Sequence, residues 1–239
     1  MIIFGMNPVR EAIRAHPDRI RWIAVSSSEK GRLSRLAEEA RDADVEVRVM
    51  PADRVAKLAE GGVHNGVVAE IAEAAYADFD DLIGAEGAPE RIFILDGVQD
   101  PQNLGAVLRV ADAFGFGLVV VPKHESAGLS GAAVKASAGA SEWVPVAQVT
   151  NLARAIESLQ AGGYWIYGAD AEGEPLGSFD LSGKIAVVLG NEGRGVRRNV
   201  LEHCDRRVAI PMRGRVESLN VSTAAAVIGC EVERQSGKP

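Results

Sequence analysis

Apolar residues in this chain fall into short runs divided by polar turns. Ile20–Val25, Ile92–Leu95, Leu118–Val121 and Ile185–Leu189 are almost continuously apolar. Short runs without polar alternation read as strands covered on both faces. Val144–Val146, Trp165–Gly168 and Arg207–Ile210 read as further strands, with helical patterns at Leu104–Phe114, Ala132–Ala138, Leu152–Gln160 and Val196–Glu202 between the runs, and a closing helix after Asn220. From Arg91 onward this alternation predicts an α/β fold, a parallel sheet with helices on both faces. Ligands in such sheets lie beyond the carboxyl ends of the strands.

The first 72 residues repeat the pattern on a smaller scale. Residues 5–15 predict a helix with Asn7 as N-cap and Pro8 at its first position. A strand at Ile20–Val25 and a helix at Leu33–Ala43 follow; Leu33, Leu36, Ala37 and Ala40 lie at helical spacing. Val45–Val49 alternates as a strand, Ala52–Ala59 reads as a short helix, and a turn at His64-Asn65-Gly66 leads into a strand ending at Ile71. Residues 1–72 thus read as one small α/β unit and 91–239 as a second. Residues 73–90, rich in Ala, Asp, Glu and Gly, read as a linker with a weak helix at Phe79–Ile83; a surface helix of one continuous domain is the alternative.

Composition adds bounds. At 239 residues, 47% hydrophobic and 25% charged, the chain suits a globular protein with a proper core. No apolar run is long enough to span a bilayer, and Met1-Ile2-Ile3-Phe4-Gly5 lacks the pattern of a secretory signal. Cys204 and Cys230 have no metal-ligand spacing, so reduced thiols in a cytoplasmic protein are expected. The net charge of −7 argues against indiscriminate coating of nucleic acid. Yet Arg194, Arg197, Arg198, Arg206, Arg207, Arg213 and Arg215 face only Glu202 and Asp205 between residues 194 and 215. Such a patch meets a chosen anionic partner or is simply a solvated face.

Three segments could carry chemistry. In the first, the strand ending at Leu95 gives way to a polar loop in which Asn103 is placed to cap the next helix. Ala106, Arg109 and Ala113 share one face of that helix, so Arg109 is expected to be half-buried, paired with Asp112 or aimed at a phosphate or reacting hydroxyl. In the second, Gly190, Gly193 and Gly195 surround Glu192 in a turn; it matches neither a phosphate-binding loop nor a dinucleotide fingerprint. In the third, a strand ends at Ile210-Pro211, a loop passes Gly214, and Ser218 or Asn220 caps a helix opened by Ala224–Ala226. There is no Ser-His-Asp arrangement, and of the four histidines His64 is the one placed for substrate contact.

Taken together and in order, these segments resemble the SpoU (TrmH-like) family of RNA ribose 2′-O-methyltransferases in the SPOUT superfamily. Asn103 with Arg109 looks like the first family motif, Gly190-Asn191-Glu192-Gly193 the second, and Ile210-Pro211-Met212 through Ser218-Leu219-Asn220-Val221-Ser222 the third. Gly5-Met6-Asn7-Pro8 and His64-Asn65-Gly66 look like the small ribosomal-protein-like RNA-binding domain that precedes some members. The resemblance implies a deep trefoil knot at the C-terminus, an exception to the rule of unknotted chains. It implies S-adenosylmethionine held by Gly190, Ile210 and Leu219, and no metal. It implies catalytic roles for Asn103, Arg109, Glu192, Ser218 and Asn220, RNA contacts at His64, Arg194, Arg213 and Arg215, and a homodimer. The implied substrate is RNA, with a guanosine of large-subunit (23S) ribosomal RNA expected. A transfer RNA guanosine and a non-catalytic RNA-binding or assembly factor are the alternatives.

Overall fold

The computed structural model describes residues 1–27, 31–72, 76–191 and 193–237, so Glu192 lies outside the described residues. The first part of the chain runs β1 (Ile2–Phe4), α1 (Met6–Ala15), β2 (Ile20–Ser26), α2 (Arg32–Asp42), β3 (Val47–Met50), α3 (Ala52–Leu58) and β4 (Val67–Ile71). Its strands form a sheet in the order β1-β4-β2-β3; β4 runs antiparallel to both neighbours, and β2 and β3 are parallel. The amphipathic spacing of α2 buries Leu33, Leu36, Ala37 and Ala40 on one face of this sheet, beside Val9, Ala12 and Ile13 of α1. α3 covers the other face, with Val55 against Trp22, Ala24 and Val68. Asn65 and Gly66 both have positive φ, 49° and 76°, which these two residue types tolerate best. The three-residue strand β1 is too short to leave a hydrophobic pattern and escapes sequence reading.

The second part runs α4 (Phe79–Gly84), β5 (Arg91–Asp96), α5 (Pro101–Ala113), β6 (Leu118–Pro122), α6 (Gly131–Ala136), β7 (Val146–Val149), α7 (Leu152–Ala161), β8 (Trp165–Pro175), β9 (Ile185–Gly190), α8 (Arg198–Leu201), β10 (Arg206–Ala209) and α9 (Val221–Gln235). Its sheet has the order β10-β8-β9-β5-β6-β7, and every pairing is parallel. Successive residues of a strand point to opposite faces. Phe93, Leu95, Val119, Val121, Val187 and Leu189 therefore pack with α5 and α9, while Ile92, Ile94, Leu118, Val120, Ala186 and Val188 pack with α7. That explains the unbroken apolar runs: both faces are covered. Each of the Val, Leu, Ile and Phe side chains contributes about 1.5–3 kcal/mol through burial.

Several boundaries differ from the sequence reading. Gly5, at φ 102°, precedes α1 and puts Pro8 one residue beyond Asn7 inside the first turn, so Asn7 is not the cap. Asp100 caps α5 by accepting from the Gln102 N–H, with Pro101 at the first position, so Asn103 sits within the first turn rather than before it. A 3-10 turn at Ala140–Glu142 pushes β7 two residues past the expected start. Residues 76–90, expected within a linker, carry α4 and lie against the second sheet: Phe79 is buried there, and Ala77 bridges to Ala147.

The two sheets touch through α6 and the turn after it. Val134 of α6 is buried in the core of the first sheet. The Lys135 ammonium lies 4.7 Å from the centre of the Phe4 ring, and the Trp143 indole N–H donates to Glu11 at 3.2 Å. Glu142, buried, faces Arg19 at 3.6 Å.

Candidate active site at the carboxyl end of the second sheet

The segments that follow β9 and β10 enclose a cavity of about 510 Å³ with the edge of β8 and the start of α9. That volume falls in the range of about 300–1,000 Å³ usual for small-molecule sites. One wall is the loop 190–196, the other the stretch 208–221; Leu189, Val196, Val208, Ile210 and Leu219 make it largely apolar, with Asp170, Asn191, Arg194, Glu217 and Ser218 as polar groups. Gly190, Ile210 and Leu219 all line it, as does Ser218. It lies where a parallel sheet presents its ligands.

The glycine-containing loop is folded tightly on itself. A Cβ placed on Gly190 would meet the carbonyl carbon of Gly195 at 1.9 Å, so no larger residue fits without moving backbone. The Asn191 side-chain oxygen accepts from the Gly193 and Arg194 N–H groups at 3.1 and 2.8 Å, and its carbonyl accepts from the Gly195 N–H at 2.9 Å. The far end of the loop is tied back to β5. Asp96, fully buried, accepts from the Arg197 backbone N–H and from its Nε, each at 2.8 Å, and the Arg197 Nη2 lies 2.7 Å away. Sequence reading missed Asp96 and Asn191. The signal for Asp96 was a carboxylate closing an apolar strand, a position where a charge needs partners.

The first and third segments meet. The Asn220 amide donates to the Asn103 side-chain oxygen at 2.9 Å, and the Asn220 oxygen caps α9 by accepting from the Ser222 N–H at 2.9 Å. Between β10 and this cap the chain runs exposed from Pro211 to Ser218. Among the described residues, no backbone–backbone hydrogen bond engages residues 211–219.

Arg109 departs from expectation. It is exposed, makes no ion pair or hydrogen bond among the described residues, and does not line the cavity. The buried face of α5 is Leu104, Val107, Leu108 and Ala111, which turns the Ala106–Arg109–Ala113 face outward. Asp112 is therefore not its partner. Within the basic patch, Arg197, Arg198, Arg206 and Arg207 pair with Asp96, Glu202, Glu174 and Asp170. Arg194, Arg213 and Arg215 are exposed and have no such pairing among the described residues. His64 sits in the turn before β4, its Nδ1 accepting from the Gly66 N–H at 3.1 Å. No group of three or more metal-ligating side chains occurs among the described residues.

The chain matches two family models: "SpoU rRNA Methylase family" over residues 90–230 and "RNA 2'-O ribose methyltransferase substrate binding" over residues 2–77. It is 43% identical to the 23S rRNA (guanosine-2'-O-)-methyltransferase RlmB of Xanthomonas campestris, over 98% of this chain and 96% of that protein. It is 38% identical to an uncharacterized tRNA/rRNA methyltransferase of Mycolicibacterium smegmatis, over 98% of this chain and 76% of the relative. The crystal structure of the SpoU methyltransferase AviRb of Streptomyces viridochromogenes, in complex with the cofactor AdoMet, superposes with a TM-score of 0.80 at 25% identity, covering 98% of this chain and 89% of that one. With its three motif segments gathered at one sheet end and these likenesses spanning nearly its whole length, the chain belongs to the SpoU rRNA methylase family.

Proposed function

We propose that this protein transfers a methyl group from S-adenosylmethionine to the ribose 2′-hydroxyl of a guanosine in 23S ribosomal RNA. The observation that carries the reading is the cavity itself: two loops from separate family motifs form its opposite walls, and a third motif is hydrogen-bonded to one of them through Asn103 and Asn220. The 43% identity to a 23S rRNA guanosine methyltransferase along both halves of the chain supports the choice of RNA.

The residues present fit the donor. Leu189, Val208, Ile210 and Leu219 offer apolar walls for a purine, and the unengaged backbone of 211–219 offers donors and acceptors for its polar edges. When bound, S-adenosylmethionine supplies a methyl already activated on a sulfonium centre. What remains for the protein is alignment and help with the hydroxyl proton. Asn103 and Asn220 orient the ribose or the loop, and Ser218 orders the cavity edge. A guanidinium offers donors and no acceptor, so Arg109 is assigned to steadying the developing alkoxide or a neighbouring phosphate rather than taking the proton. Glu192 is assigned to holding Arg109 or handling the proton. Arg194, Arg213 and Arg215, which pair with no carboxylate among the described residues, meet the RNA backbone, and His64 meets RNA from the first unit.

Arg109 is exposed and does not line the cavity of its own chain, which favours a homodimer in which a partner's loops meet it. The C-terminal trefoil knot belongs to the same proposal: β10 lies outside β8, yet α9 returns to pack on α5 and β9, so the last fifty or so residues leave the sheet edge and cross back. The division into a substrate-binding unit at 1–72 and a methyltransferase unit at 91–239 is supported by the two sheets and the two matched family models, while the packing of Phe79 and Ala77 on the second sheet joins residues 76–90 to the second unit instead of leaving them as a free linker. Two free thiols suit the cytoplasm.

The test is methyl transfer by the full chain from labelled S-adenosylmethionine to protein-free 23S ribosomal RNA and, separately, to transfer RNA, with the methylated ribose mapped. Label on a 23S guanosine 2′-oxygen is expected. Label on transfer RNA alone would favour the second substrate class that the M. smegmatis relative's name leaves open. Donor binding without transfer to any RNA would leave a binding or assembly factor.

A further inference from the structure

Asp96 is the buried charge of the second sheet that the reaction described above does not use. It closes β5 directly opposite Gly190 in the ladder, its side chain is 0% exposed, and it does not line the cavity. Resting on the functional reading above, we infer that Asp96 is a positioning residue for methyl-donor binding, fixing through Arg197 the loop 190–197 that forms one wall of the donor cavity.

An ion pair is a poor way merely to fill a strand end. Desolvating a carboxylate opposes much of what its partner returns, and an apolar side chain would often serve stability as well. The Arg197 side chain is 47% exposed, which weakens the electrostatic gain further. What the pair supplies is direction. One carboxylate takes the Arg197 backbone N–H, its Nε and its Nη2 at 2.7–2.8 Å, so the main chain at residue 197 is set relative to β5 and not only its side chain. The Arg197 Nη1 also faces Glu125, 3.6 Å away in the loop after β6.

The rest of the loop makes that anchor matter. Asn191, through its bonds to the Gly193 and Arg194 N–H groups, and the Gly190–Gly195 approach bring the two ends of this loop together into a ring around the position of residue 192, which lies outside the described residues. The ring is fixed at its start by β9 and by close approach to Gly97, whose added Cβ would stand 3.2 Å from the Asn191 amide nitrogen. At its end it is fixed by Val196, buried in the core, and by Arg197 on Asp96. Gly190, Asn191, Gly193, Arg194, Gly195 and Val196 all face the cavity, so a shift at residue 197 moves the donor's wall.

Two full-length variants test this. Asp96→Asn keeps the size but removes the charge and turns one acceptor into a donor facing N–H groups. Arg197→Ala keeps the carboxylate and the loop backbone bond. Calorimetric titration with S-adenosylmethionine is expected to show about 10- to 100-fold weaker binding in Asp96→Asn, the loss expected for hydrogen bonds to a charged group. KM for the donor should rise in step, while kcat at saturating donor and KM for RNA stay within about threefold, the signature of lost binding rather than lost chemistry. A merely structural Asp96 would lower the melting temperature and leave donor affinity alone; that result overturns the inference. If Asp96→Asn does not fold, Arg197→Ala decides, because it strips two of the three contacts and leaves the buried carboxylate held by one N–H alone: weakened donor binding supports the anchor, and unchanged affinity overturns it. Wild-type protein that binds no donor would overturn the functional reading and this inference with it, whereas donor binding by the wild type and equally by both variants would overturn only the role of Asp96.

Discussion

Asn220 does two things with one amide. Its oxygen caps α9, and its nitrogen holds the Asn103 side chain in the first turn of α5. Replacing it with Ala removes a helix cap, a loss of about 1 kcal/mol, and also removes one of the hydrogen bonds that hold Asn103. Asn220→Ala is expected to lower the melting temperature modestly while reducing methyl transfer far more than donor affinity; a loss of activity no larger than the loss of stability would make the amide a cap and nothing else. Arg109 poses the opposite case. It is exposed and holds no structural partner among the described residues, so Arg109→Ala should leave the melting temperature and donor binding at wild-type values. Methyl transfer should nonetheless collapse if the residue steadies the reacting oxygen. Turnover within a few fold of wild type would remove it from the chemistry.

At the scale of elements, burial on both faces made the second sheet legible: apolar strands such as Phe93–Leu95 and Val187–Leu189 could belong to nothing else. Caps were less legible, because several side chains near a helix start compete for one role. Asp100 took the cap of α5 because Pro101 fixes the first helical position beside it, and Asn103, one turn in, meets Asn220. The Asp96–Arg197 tie was invisible, since its members are separated by about a hundred positions and meet only after β5 and β9 pair. The half-burial expected for Arg109 failed because alanine spacing does not say which side of a helix faces the sheet. The packing of α8 on β8 carries its own test. Cys204 follows α8, with its Sγ only 3.0 Å from where a Gly168 Cβ would stand. Burial pushes its thiol up to about 12. Cys230, on α9, is exposed. Alkylation at pH 8 should therefore modify Cys230 and spare Cys204, read by mass spectrometry of the peptides. Equal labelling would mean that α8 does not hold its place on β8.

At the scale of the whole molecule, the question is how firmly the first sheet is held beside the second. Val134 of α6 is buried among residues of the first sheet, so the two halves share apolar core and not only surface. Beside it lies a less comfortable contact. Glu142 is buried at the junction, facing Arg19 at 3.6 Å, with the His16 ring nitrogen 3.2 Å from its own carbonyl oxygen. Burial raises the Glu142 carboxyl above its ordinary value, and the opposing pull of Arg19, His16 and the Ser141 hydrogen bond does not restore it. A carboxyl raised in the folded state binds its proton more tightly there than in the unfolded chain. Its contribution is full below the ordinary carboxylate range and is lost as pH climbs through the raised folded value. Glu231 behaves in the opposite sense: held at about 2, chiefly by the Arg234 hydrogen bond, it contributes above the ordinary range and loses that as pH falls. The total pH profile therefore mixes signs, and the informative quantity is a difference. Glu142→Gln cannot titrate, so the stability of the variant minus that of wild type, from denaturant unfolding at a series of pH values, should grow from acid toward neutral pH and then level off. A difference that stays flat, or shrinks as pH rises, would mean that Arg19 compensates the buried carboxylate fully and that charge does not strain the junction.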